Sequence, residues 1–434
     1  MQQHPETPFD TLNDWLAWLE TLSPREIDLG LERVQEVMGR LELGRPARVV
    51  HVAGTNGKGS CAAMLESLFR ELGGTVGCYT SPHIVQYNER IRVDGAPVGD
   101  AEIVAAFARV EALRQGVPLT YFEYGTLAAL VVFERAGAES LVLEIGMGGR
   151  LDAVNAVEPD AGIVTNVTLD HCDWLGPDVE TIAREKAGIM RAGRPLVFGS
   201  EAVPRAIESE AERIGADLRL AGRDFGYARG DESRWRWRGR AASLDGLAVP
   251  ALYGSVQLRN ASAVLAACEA MSLGGVLVQD TVNRAFGRIS VPGRFQWLEA
   301  GRGRRLLDVA HNPDAARVLG ESLGELAHPG PVTAIIGVLA DKDAAGIVDA
   351  LQPRVDNWIA VTPASPRAIA ARELASLVAN RCNKPCLVMD TPADALRHVN
   401  EHASGNTLVL VTGSFYTVGP ALTWLQSADA ERSR

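Results

Sequence analysis

Hydrophobic residues recur at every third or fourth position in two stretches near the beginning of the chain, residues 11–22 and residues 28–43. The apolar positions in these stretches are Leu12, Trp15, Leu16, Leu19, Leu31, Val34, Val37, Met38 and Leu41. Because an α-helix brings residues three and four apart onto one face, this spacing predicts two amphipathic helices.

Short apolar runs alternate with helical stretches from residue 47 to residue 200. The first run, ARVVHVA at residues 47–53, leads into a glycine-rich turn and a helical segment over residues 61–72. Three later runs, SLVLEIG, AGIVTNV and RPLVFGS, are separated by further helical stretches. This alternation predicts repeated β-α units around a mostly parallel sheet.

The pattern changes over residues 217–256, where alternation and frequent glycines predict a small antiparallel meander. A helix over residues 260–271 follows, and Pro292 and Gly293 then precede a new strand. Beyond them, helical segments alternate with the apolar runs RRLLDVA, VTAIIGV, NWIAVT, CLVMD and TLVLVTG. These runs predict a second, smaller, doubly wound α/β domain of the Rossmann-like type. The polar residues after Gln426 are expected to fray.

The length agrees with two domains, because a single hydrophobic core stops growing at roughly 250–300 residues and the chain has 434. We expect an α/β protein whose first domain is residues 1–293, with a mostly parallel sheet and a small antiparallel β subdomain. The second domain is expected at residues 294–434.

The charge and hydropathy narrow the class of partner. A formal net charge of −11 disfavours a protein that coats nucleic acid, since phosphate binding needs a surplus of basic residues. No basic segment followed by an apolar stretch opens the chain, and no run of roughly 18 apolar residues occurs. We therefore expect a cytoplasmic protein that acts on small molecules, with no nucleic acid or membrane as partner.

The strongest chemical signal is the segment HVAGTNGKGS, in which a strand ends in a glycine-rich turn that opens a helix. Glycines let backbone N–H groups turn toward an anion, Lys58 can reach the β and γ phosphates, and Ser60 can face Mg²⁺. Two residues, rather than four, separate Gly54 from Gly57, so the loop is a shortened phosphate loop. A turn with a surface lysine is the alternative. The loop favours a P-loop NTPase-like first domain that binds ATP through residues 57–60, namely Gly57, Lys58, Gly59 and Ser60.

Together with further segments, this loop resembles the folylpolyglutamate synthases, a family within the Mur ligase superfamily. The segments are TSPHIVQYNERI, LEIGMGGRLDAVN, TNVTLDHCDWLG, REKAGIMR and LDVAHNPDA, and they follow in order between residues 28 and 419. Two others, IDLGLERV and TYFEYGT, are similar to the bifunctional bacterial form, which also accepts dihydropteroate.

The resemblance implies an ATP-dependent carboxylate-amine ligase. ATP phosphorylates a carboxylate, which supplies a leaving group on an otherwise poor electrophile, and the amino group of L-glutamate then attacks. The implied substrates are dihydropteroate, tetrahydrofolate and L-glutamate, the implied cofactors are ATP and Mg²⁺, and the implied state is a monomer.

Three residues match the magnesium-binding positions of the family: Ser81, Glu144 and His171. Hard oxygen ligands suit Mg²⁺, whereas an imidazole is a less usual choice. Taken singly, each residue is more typical of an ordinary structural position: a turn serine, a solvated strand end and a hydrogen-bonded histidine. Their order along the chain together with the loop favours the metal role. Glu144 and His171 follow apolar strands, and the carboxyl ends of parallel strands are where such folds bind ligands.

Lys186 in REKAGIMR matches the lysine that the family carries in carbamylated form. A bare ammonium beside Mg²⁺ is repelled, whereas a carbamate is an oxygen anion that orients the metal or its waters. The alternative is a lysine on a solvated helix that pairs with Glu185 or Glu180. Under the resemblance, Lys58, Lys186 and His171 are candidate catalytic residues.

Three segments match the part of the family that lines the pterin site. Their residues are Asp28, Leu29, Gly30, Leu31, Thr120, Tyr121, Phe122, Glu123, Leu151, Asp152 and Ala153. Tyr121 and Phe122 can stack on a flat heterocycle, and Glu123 or Asp152 can accept hydrogen bonds from its N–H donors. Two neighbouring aromatics at a helix start are, alternatively, ordinary core residues.

Further positions match nucleotide and glutamate contacts. Asn260 and Arg294 match residues that contact ATP. Asp308 and His311 match residues that reach the nucleotide from the second domain, and Asp308 is a candidate for both ATP binding and catalysis. Ser414 in TGSFYTVG is a candidate contributor on the glutamate side. In that segment Phe415 stands where the family often has leucine, a departure expected to touch no catalytic residue.

Two other functions use the same loop. A muramyl-peptide ligase carries a whole domain for a UDP-sugar substrate before the loop, whereas 53 residues precede Gly54 here. A non-catalytic, ATP-gated switch would release ADP without needing a pterin acid or L-glutamate.

Overall fold

A computed structural model describes residues 9–22, 28–230, 233–300, 303–326 and 328–432 of the chain. Within these ranges the residues form two compact units. The first unit comprises residues up to 83, residues 87–251 and residues 258–289. The second comprises residues 84–86, 252–257 and those from 290 onward. The second unit thus begins at Ser290, a few residues before the expected boundary, and takes in two short segments from the expected first domain.

The first unit alternates helices and strands along most of its length. Its helices are α1 (Leu12–Leu22), α2 (Glu32–Leu41), α3 (Lys58–Arg70), α4 (Asp100–Arg114), α5 (Tyr121–Arg135), α6 (Cys172–Leu175), α7 (Val179–Ala187), α8 (Arg205–Ile214), α9 (Val256–Ala270) and α10 (Gln279–Phe286), and the first two residues of α9 belong to the second unit. Its strands are β1 (Arg48–Ala53), β2 (Val76–Tyr79), β3 (Ile91–Val93), β4 (Ala96–Pro97), β5 (Ser140–Glu144), β6 (Ala161–Val164), β7 (Pro195–Phe198), β8 (Asp217–Leu220), β9 (Gly226–Arg229), β10 (Arg234–Arg238) and β11 (Ser243–Ala248).

An eight-stranded sheet in the order β4-β3-β2-β5-β1-β6-β7-β8 organises the first unit. Strands β2, β5, β1, β6, β7 and β8 run parallel, and β3 and β4 add an antiparallel edge. Central strand β1 carries Val49, Val50 and Val52, all buried, because a parallel strand is covered on both faces. Burying each such side chain stabilises the fold by about 1.5–3 kcal/mol.

The sequence misassigned the strand at residues 217–220. It was expected in the antiparallel meander, but β8 pairs in parallel with β7 at the edge of the large sheet. The meander is the separate three-stranded sheet β11-β10-β9. In β10 the tryptophans Trp235 and Trp237 are buried and the three arginines are exposed, which is the alternation expected of a sheet with one solvated face.

The two amphipathic helices at the start are present as α1 and α2. Trp15 of α1 is completely buried, with its ring centroid 5.7 Å from that of Phe107 in α4. The spacing predicts a helix from residue 28, but α2 begins at Glu32. The candidate site residues 28–31 are therefore in a segment that precedes the helix.

The second unit is a smaller α/β unit. Its strands are β12 (Gln296–Ala300), β13 (Gly303–Leu307), β14 (Val332–Ile336), β15 (Asn357–Ala360), β16 (Cys386–Val388) and β17 (Leu408–Thr412). Its helices are α11 (Pro313–Glu325), α12 (Ala344–Leu351), α13 (Ala371–Cys382), α14 (Pro392–His402) and α15 (Phe415–Arg432). The strand order is β12-β13-β17-β14-β15-β16, with all neighbours parallel except β12 and β13.

The predicted α/β architecture, with a large mostly parallel sheet, a small antiparallel sheet and a smaller second α/β unit, is confirmed. The expectation of a frayed end after Gln426 is wrong as far as Arg432, because α15 continues to that residue. None of the helices in the described ranges is long and apolar enough to cross a bilayer.

Candidate active site

The glycine-rich loop connects β1 to α3, and its first glycine has no room for a side chain. Gly54 has a φ of 142°, and a Cβ there would overlap the hydroxyl of Thr165, which follows β6. Thr165 Oγ1 in turn donates a hydrogen bond of 2.6 Å to the carbonyl oxygen of Asn56. The loop is therefore seated directly on the end of the neighbouring parallel strand.

Residues after β6 fix the loop by further hydrogen bonds. The backbone N–H of Asn56 donates to Asn166 Oδ1 at 2.9 Å, and that of Thr55 donates to the carbonyl oxygen of Asn166 at 3.1 Å. The hydroxyl of Thr55 also bonds to the backbone of Thr168. This bracing orders the loop backbone from a second strand end, as a preformed anion site requires.

The loop ends at the N-terminus of α3, where backbone N–H groups and the helix dipole favour an anion. Gly57, with a φ of 85°, is the N-cap residue of α3, and Lys58 Nζ donates to the carbonyl oxygen of Gly54 at 3.0 Å. Asn260 of α9 lies against the loop, since a Cβ on Gly57 would stand 3.0 Å from Asn260 Oδ1. Three of the predicted ATP contacts, Gly57, Lys58 and Asn260, are thus brought together.

Glu144 occupies the corner beside the start of α3. It is the last residue of β5 and is buried, and its Oε2 accepts a hydrogen bond of 3.1 Å from the backbone N–H of Ser81. A Cβ on Gly59 would lie 3.9 Å from the same oxygen. Ser81, Glu144 and the loop therefore meet at one point, which we call the carboxylate corner.

His171 lies in the loop after β6, at the start of a short helix. It lies seven residues beyond the end of β6 and is the N-cap residue of the short helix α6, with a left-handed backbone at φ 53°. Its Nε2 lies 4.0 Å from Asp170 Oδ1, and its side chain is 37% exposed. A left-handed histidine is uncommon and marks a constrained loop position.

Lys186 is buried in α7. The solvated-helix alternative for it is wrong, because Glu185 pairs with Arg150 and Glu180 accepts bonds from the backbone of α8. Burial, followed by the charge of Lys58, lowers the pKa of Lys186 from 10.5 to about 7.

Asp152 is a second buried ionisable group, and its charge acts on Lys186. Its carboxylate accepts hydrogen bonds from the backbone N–H groups of Met147 and Val154 at 2.9 and 3.0 Å. Burial nevertheless raises the pKa of Asp152 to about 7. Two buried groups with shifted pKa values beside a phosphate-loop lysine are typical of a functional site.

The first two pterin-site segments are joined by Arg33, whose linking role was not expected from the sequence. Glu123 is buried and forms a capping box with Thr120 at the start of α5. Arg33 donates from Nη2 to Glu123 Oε1 at 2.9 Å and from Nη1 to Asp28 Oδ2 at 3.1 Å. Residues 28–31 are thereby held to the start of α5.

The aromatic residues of this region lie near the carboxylate corner. The ring of Phe122 packs on Gly146, two residues past Glu144, and lies 6.0 Å from the ring of Tyr79. The third segment, Leu151 to Ala153, leads into a short 3₁₀ turn whose N-cap is Asp152. The three pterin-site segments and the phosphate loop thus occupy the same end of the large sheet.

The second unit brings its own candidates together at the carboxyl ends of β13 and β17. Asp308 accepts hydrogen bonds from the backbone N–H groups of Phe295 and Ala310 at 2.8 and 2.9 Å. Burial raises the pKa of Asp308, against the opposing charge of Arg294. His311 Nδ1 lies 3.0 Å from the carbonyl oxygen of Val309.

Phe415 contacts two candidate residues, which was not expected from the sequence. Its ring lies 5.6 Å from Arg294 Cζ and 5.7 Å from the ring of His311. The expectation that this position touches no candidate residue is therefore wrong. Ser414, just before it, is buried and shares a 2.8 Å hydrogen bond with Thr417.

Some supporting residues could have been found in the sequence and others could not. Asn166 and Asp170 stand in TNVTLDHCDWLG, a segment already singled out, and polar residues after a parallel strand are a recognisable signal. The TYFE start of α5 is a readable capping-box pattern. Arg33 stands in IDLGLERV, which was also singled out, but its pairing with Glu123 had no local signal because the two residues are 90 positions apart.

Comparison with known proteins places both units in one family of folds. A model of the Mur ligase middle domain matches residues 52–198, and a model of the Mur ligase glutamate ligase domain matches residues 293–415. A dihydrofolate synthase/folylpolyglutamate synthase of Escherichia coli (strain K12) is 40% identical to this chain, and the match covers 97% of this chain and 96% of that protein. A protein of the same name from Haemophilus influenzae is 34% identical, over 94% of this chain and 96% of that one.

Solved structures give the same result. The structure of E. coli FolC in complex with DHPP and ADP is 39% identical with a TM-score of 0.90, covering 99% of this chain and 100% of that chain. A bifunctional folylpolyglutamate synthase/dihydrofolate synthase with Mn, AMPPNP and L-glutamate bound is 38% identical with a TM-score of 0.89, covering 98% and 100%.

Proposed function

We propose that this chain, which belongs to the dihydrofolate synthase/folylpolyglutamate synthase family of the Mur ligases, joins L-glutamate to dihydropteroate and to the γ-carboxylate of tetrahydrofolates. The resemblance inferred from the sequence is confirmed, and the chain is an ATP-dependent ligase. The observation that carries the proposal is the phosphate loop, with Lys58 and the carboxylate corner beside the three pterin-site segments.

The loop residues bind and orient the triphosphate. The N–H groups at the start of α3 and the ammonium of Lys58 face the β and γ phosphates, and Asn260 contacts the nucleotide beside Gly57. Lys58 Nζ donates to the carbonyl oxygens of Gly54 and Thr55, both in its own loop. Little rearrangement is then needed for Lys58 to exchange these carbonyls for phosphate oxygens.

The carboxylate corner has the chemistry of a magnesium site. In the described part of the chain no three His, Cys, Asp or Glu side chains form a metal-binding group. Mg²⁺ is commonly held by one or two protein carboxylates together with substrate phosphates and water, so a corner with one buried carboxylate and a serine suits it. We assign Ser81, Glu144 and His171 to this role. Bound Mg²⁺ offsets the negative charge of the phosphates during transfer.

Lys186 is proposed to act as a carbamate. An amine must lose its proton before it attacks carbon dioxide, and a pKa of about 7 leaves a large neutral fraction at neutral pH. The charge of Lys58 favours an anion at this position. A carbamate there adds an oxygen anion that would orient the metal ion or its waters.

The pterin acid lies, in this proposal, along the three segments at the start of α5. Tyr121 and Phe122 supply flat apolar surface, and Asp152 accepts hydrogen bonds from the heterocycle. Glu123 contributes through Arg33 and Thr120 instead, because its carboxylate is already hydrogen-bonded to both. The acid end of the substrate then points to the loop, where the γ-phosphate is transferred to its carboxylate oxygen.

The second unit is proposed to handle the nucleotide and the incoming amine. Arg294, Asp308 and His311 are assigned to the nucleotide, and Ser414 to the glutamate side. The amino group of L-glutamate attacks the acyl phosphate carbon, the C–N bond forms, the C–O bond breaks, and phosphate leaves with the bonding electrons. The proton of the amine passes to a base or to water.

The proposal is tested by ADP release from the purified full chain with ATP, Mg²⁺, a pterin acid and L-glutamate. We expect release to require both the acid and L-glutamate and to be abolished in Lys58→Ala, because the γ-phosphate loses its cation. Lys384→Ala is the matched control, since Lys384 bonds to the carbonyl oxygen of Val355 in the second unit. ADP release that needs neither the acid nor L-glutamate would indicate the ATP-gated switch. Turnover of UDP-muramyl peptides would indicate a muramyl-peptide ligase.

The cytoplasm and a monomeric state are the proposed setting of this reaction. Sedimentation of the purified chain at micromolar concentration checks the second point, with one species of the mass of a single chain as the expected result.

A further inference from the structure

The guanidinium of Arg90 is held in a fixed orientation at the end of the 3₁₀ turn Tyr87–Arg90. Its Nε donates a hydrogen bond of 2.9 Å to His83 Nδ1. Its Cζ lies 5.3 Å from the ring centroid of Tyr87 and 5.6 Å from that of Tyr121. A ring nitrogen and two aromatic rings thus set the plane of the guanidinium, and the hydroxyl of Tyr79 also interacts with it.

Arg90 differs from its neighbours in lacking a counter-ion. Arg92, two residues on, is paired with Glu66 at 2.8 Å, and Arg33 is paired with Glu123 and Asp28. No carboxylate in the described ranges lies within ion-pair distance of Arg90, although the residue is half-buried. The side chains that orient it, those of His83 and the tyrosines, are neutral, and holding a partly desolvated cation without a counter-ion is costly, so the oriented guanidinium points to an anionic ligand.

Arg90 lies between the carboxylate corner and the pterin-site aromatics. Its carbonyl oxygen accepts a hydrogen bond of 2.9 Å from the backbone N–H of Thr80, the residue before Ser81. Its side chain reaches Tyr121. An acid substrate that extends from the aromatic residues to the phosphate loop therefore passes Arg90.

We infer that Arg90 binds the α-carboxylate of the terminal glutamate in folate substrates. This inference rests on the proposed function. Dihydropteroate has a single carboxylate, which must receive the phosphate, whereas a folate has a γ-carboxylate for phosphorylation and an α-carboxylate that needs a separate partner. The two carboxylates of glutamate are separated by roughly 5 Å, from C–C bonds of about 1.5 Å. Arg90, beside Thr80 and Ser81, is placed for the second one.

His83 is a positioning residue in this inference. By accepting a hydrogen bond from Nε of Arg90, His83 orients the guanidinium so that its two terminal nitrogens bind one carboxylate together. This bidentate geometry is the one in which arginine is most selective. Arg90 thereby separates the two activities: it serves the addition of glutamate to folates more than the addition to dihydropteroate.

The test removes the carboxylate and the guanidinium in turn. The purified full chain is assayed with tetrahydropteroyl-L-glutamate and with tetrahydropteroyl-4-aminobutyrate, which keeps the phosphorylated carboxylate and lacks the α-carboxylate. We expect wild type to favour the glutamate compound in kcat/KM by about ten-fold or more, mostly through KM. In Arg90→Gln this preference falls to about one, and Arg90→Lys lies between.

Arg135→Gln is the matched control, because Arg135 is exposed at the far end of α5. It is expected to keep the wild-type preference. An undiminished preference in Arg90→Gln, or no preference in wild type, overturns the assignment of Arg90. Should Arg90→Gln fail to fold, the substrate preference of Arg90→Lys is measured instead. A wild-type preference in Arg90→Lys also contradicts the bidentate contact. Absence of any glutamate addition by wild type would instead overturn the proposed function itself.

Discussion

Arg33 and Glu123, 90 residues apart in the sequence, form a two-point ion pair in which Nε and Nη2 of Arg33 donate to Glu123 Oε1 at 3.1 and 2.9 Å. Glu123 also accepts from the backbone N–H of Thr120 at 2.7 Å. One buried carboxylate therefore caps α5 and holds the segment before α2. Local helix formation and the shape of the proposed pterin site depend on the same pair.

Arg33→Gln is expected to lower the free energy of unfolding by about 2–3 kcal/mol, because removing one partner leaves the buried carboxylate of Glu123 without its cation. The expected loss of stability is smaller than for a fully buried ion pair, because 23% of the Arg33 side chain is exposed, although only 4% of the Glu123 side chain is. Urea denaturation of the purified variant measures this. We also expect the KM for dihydropteroate to rise more than the KM for ATP.

Arg213→Gln is the control for that variant. Arg213 pairs with Glu210 on the surface of α8 and is 67% exposed, so its loss is expected to cost less than about 1 kcal/mol. Equal effects of the two substitutions would contradict the structural role of the buried pair.

Gly54→Ala is expected to disable the phosphate loop. The added Cβ overlaps the hydroxyl of Thr165, and alanine disfavours the φ of 142°. The loop must then shift from β6, and we expect at least a ten-fold loss of ATP affinity by calorimetry. Gly39→Ala is the control, because nothing lies within 4 Å of a Cβ there and Gly39 is inside α2. The Gly39→Ala change is expected to stabilise the fold by about 0.5–1 kcal/mol. Wild-type ATP affinity in Gly54→Ala would contradict the proposed loop geometry.

Lys186 makes the stability of the fold depend on pH. Burial lowers the pKa of Lys186 from 10.5 in the ordinary case to about 7 in the folded chain. Between these two values the unfolded chain binds more protons, so the free energy of unfolding rises with pH by up to roughly 1.4 kcal/mol per pH unit from this residue. Denaturation in carbon-dioxide-free buffer from pH 7 to pH 9.5 measures the slope.

Lys186→Met removes the titrating amine and is expected to reduce that slope. Lys384→Met, at a partly buried lysine of the second unit, serves as the control and keeps the wild-type slope. Parallel pH profiles for wild type and Lys186→Met would show that the amine of Lys186 titrates normally, and would remove the basis for its proposed carbamylation.

Much of the fold could be predicted because the apolar runs of a buried parallel sheet are continuous, as in β1, β5 and β6. Strand β8 was misassigned because its pattern does not differ from that of a meander strand, and only its pairing with β7 decides the sheet. Residues 28–31 carry the helical spacing but lie outside α2, where Arg33 holds Asp28 in place. Tertiary contacts decided both cases.

The candidate site was partly readable for a chemical reason. The chain has four lysines, Lys58, Lys186, Lys342 and Lys384, among 43 basic residues, and two of the four lie at the site. Lysine there is consistent with a need for a compact cation or a neutral amine, which arginine cannot supply. The orienting contacts of Arg90 with His83 and Tyr121 had no such signal, because they depend on how the turn before β3 packs against α5.

The central claim, that the γ-phosphate of ATP passes to the carboxylate of the pterin acid, is tested most directly with dihydropteroate labelled with ¹⁸O in its carboxylate. Wild type is supplied with this acid, ATP, Mg²⁺ and L-glutamate, and the released phosphate is analysed by mass spectrometry. We expect one ¹⁸O atom in each phosphate, because the C–O bond of the acyl phosphate breaks when the amide forms. Unlabelled phosphate, released in step with amide formation, would contradict it.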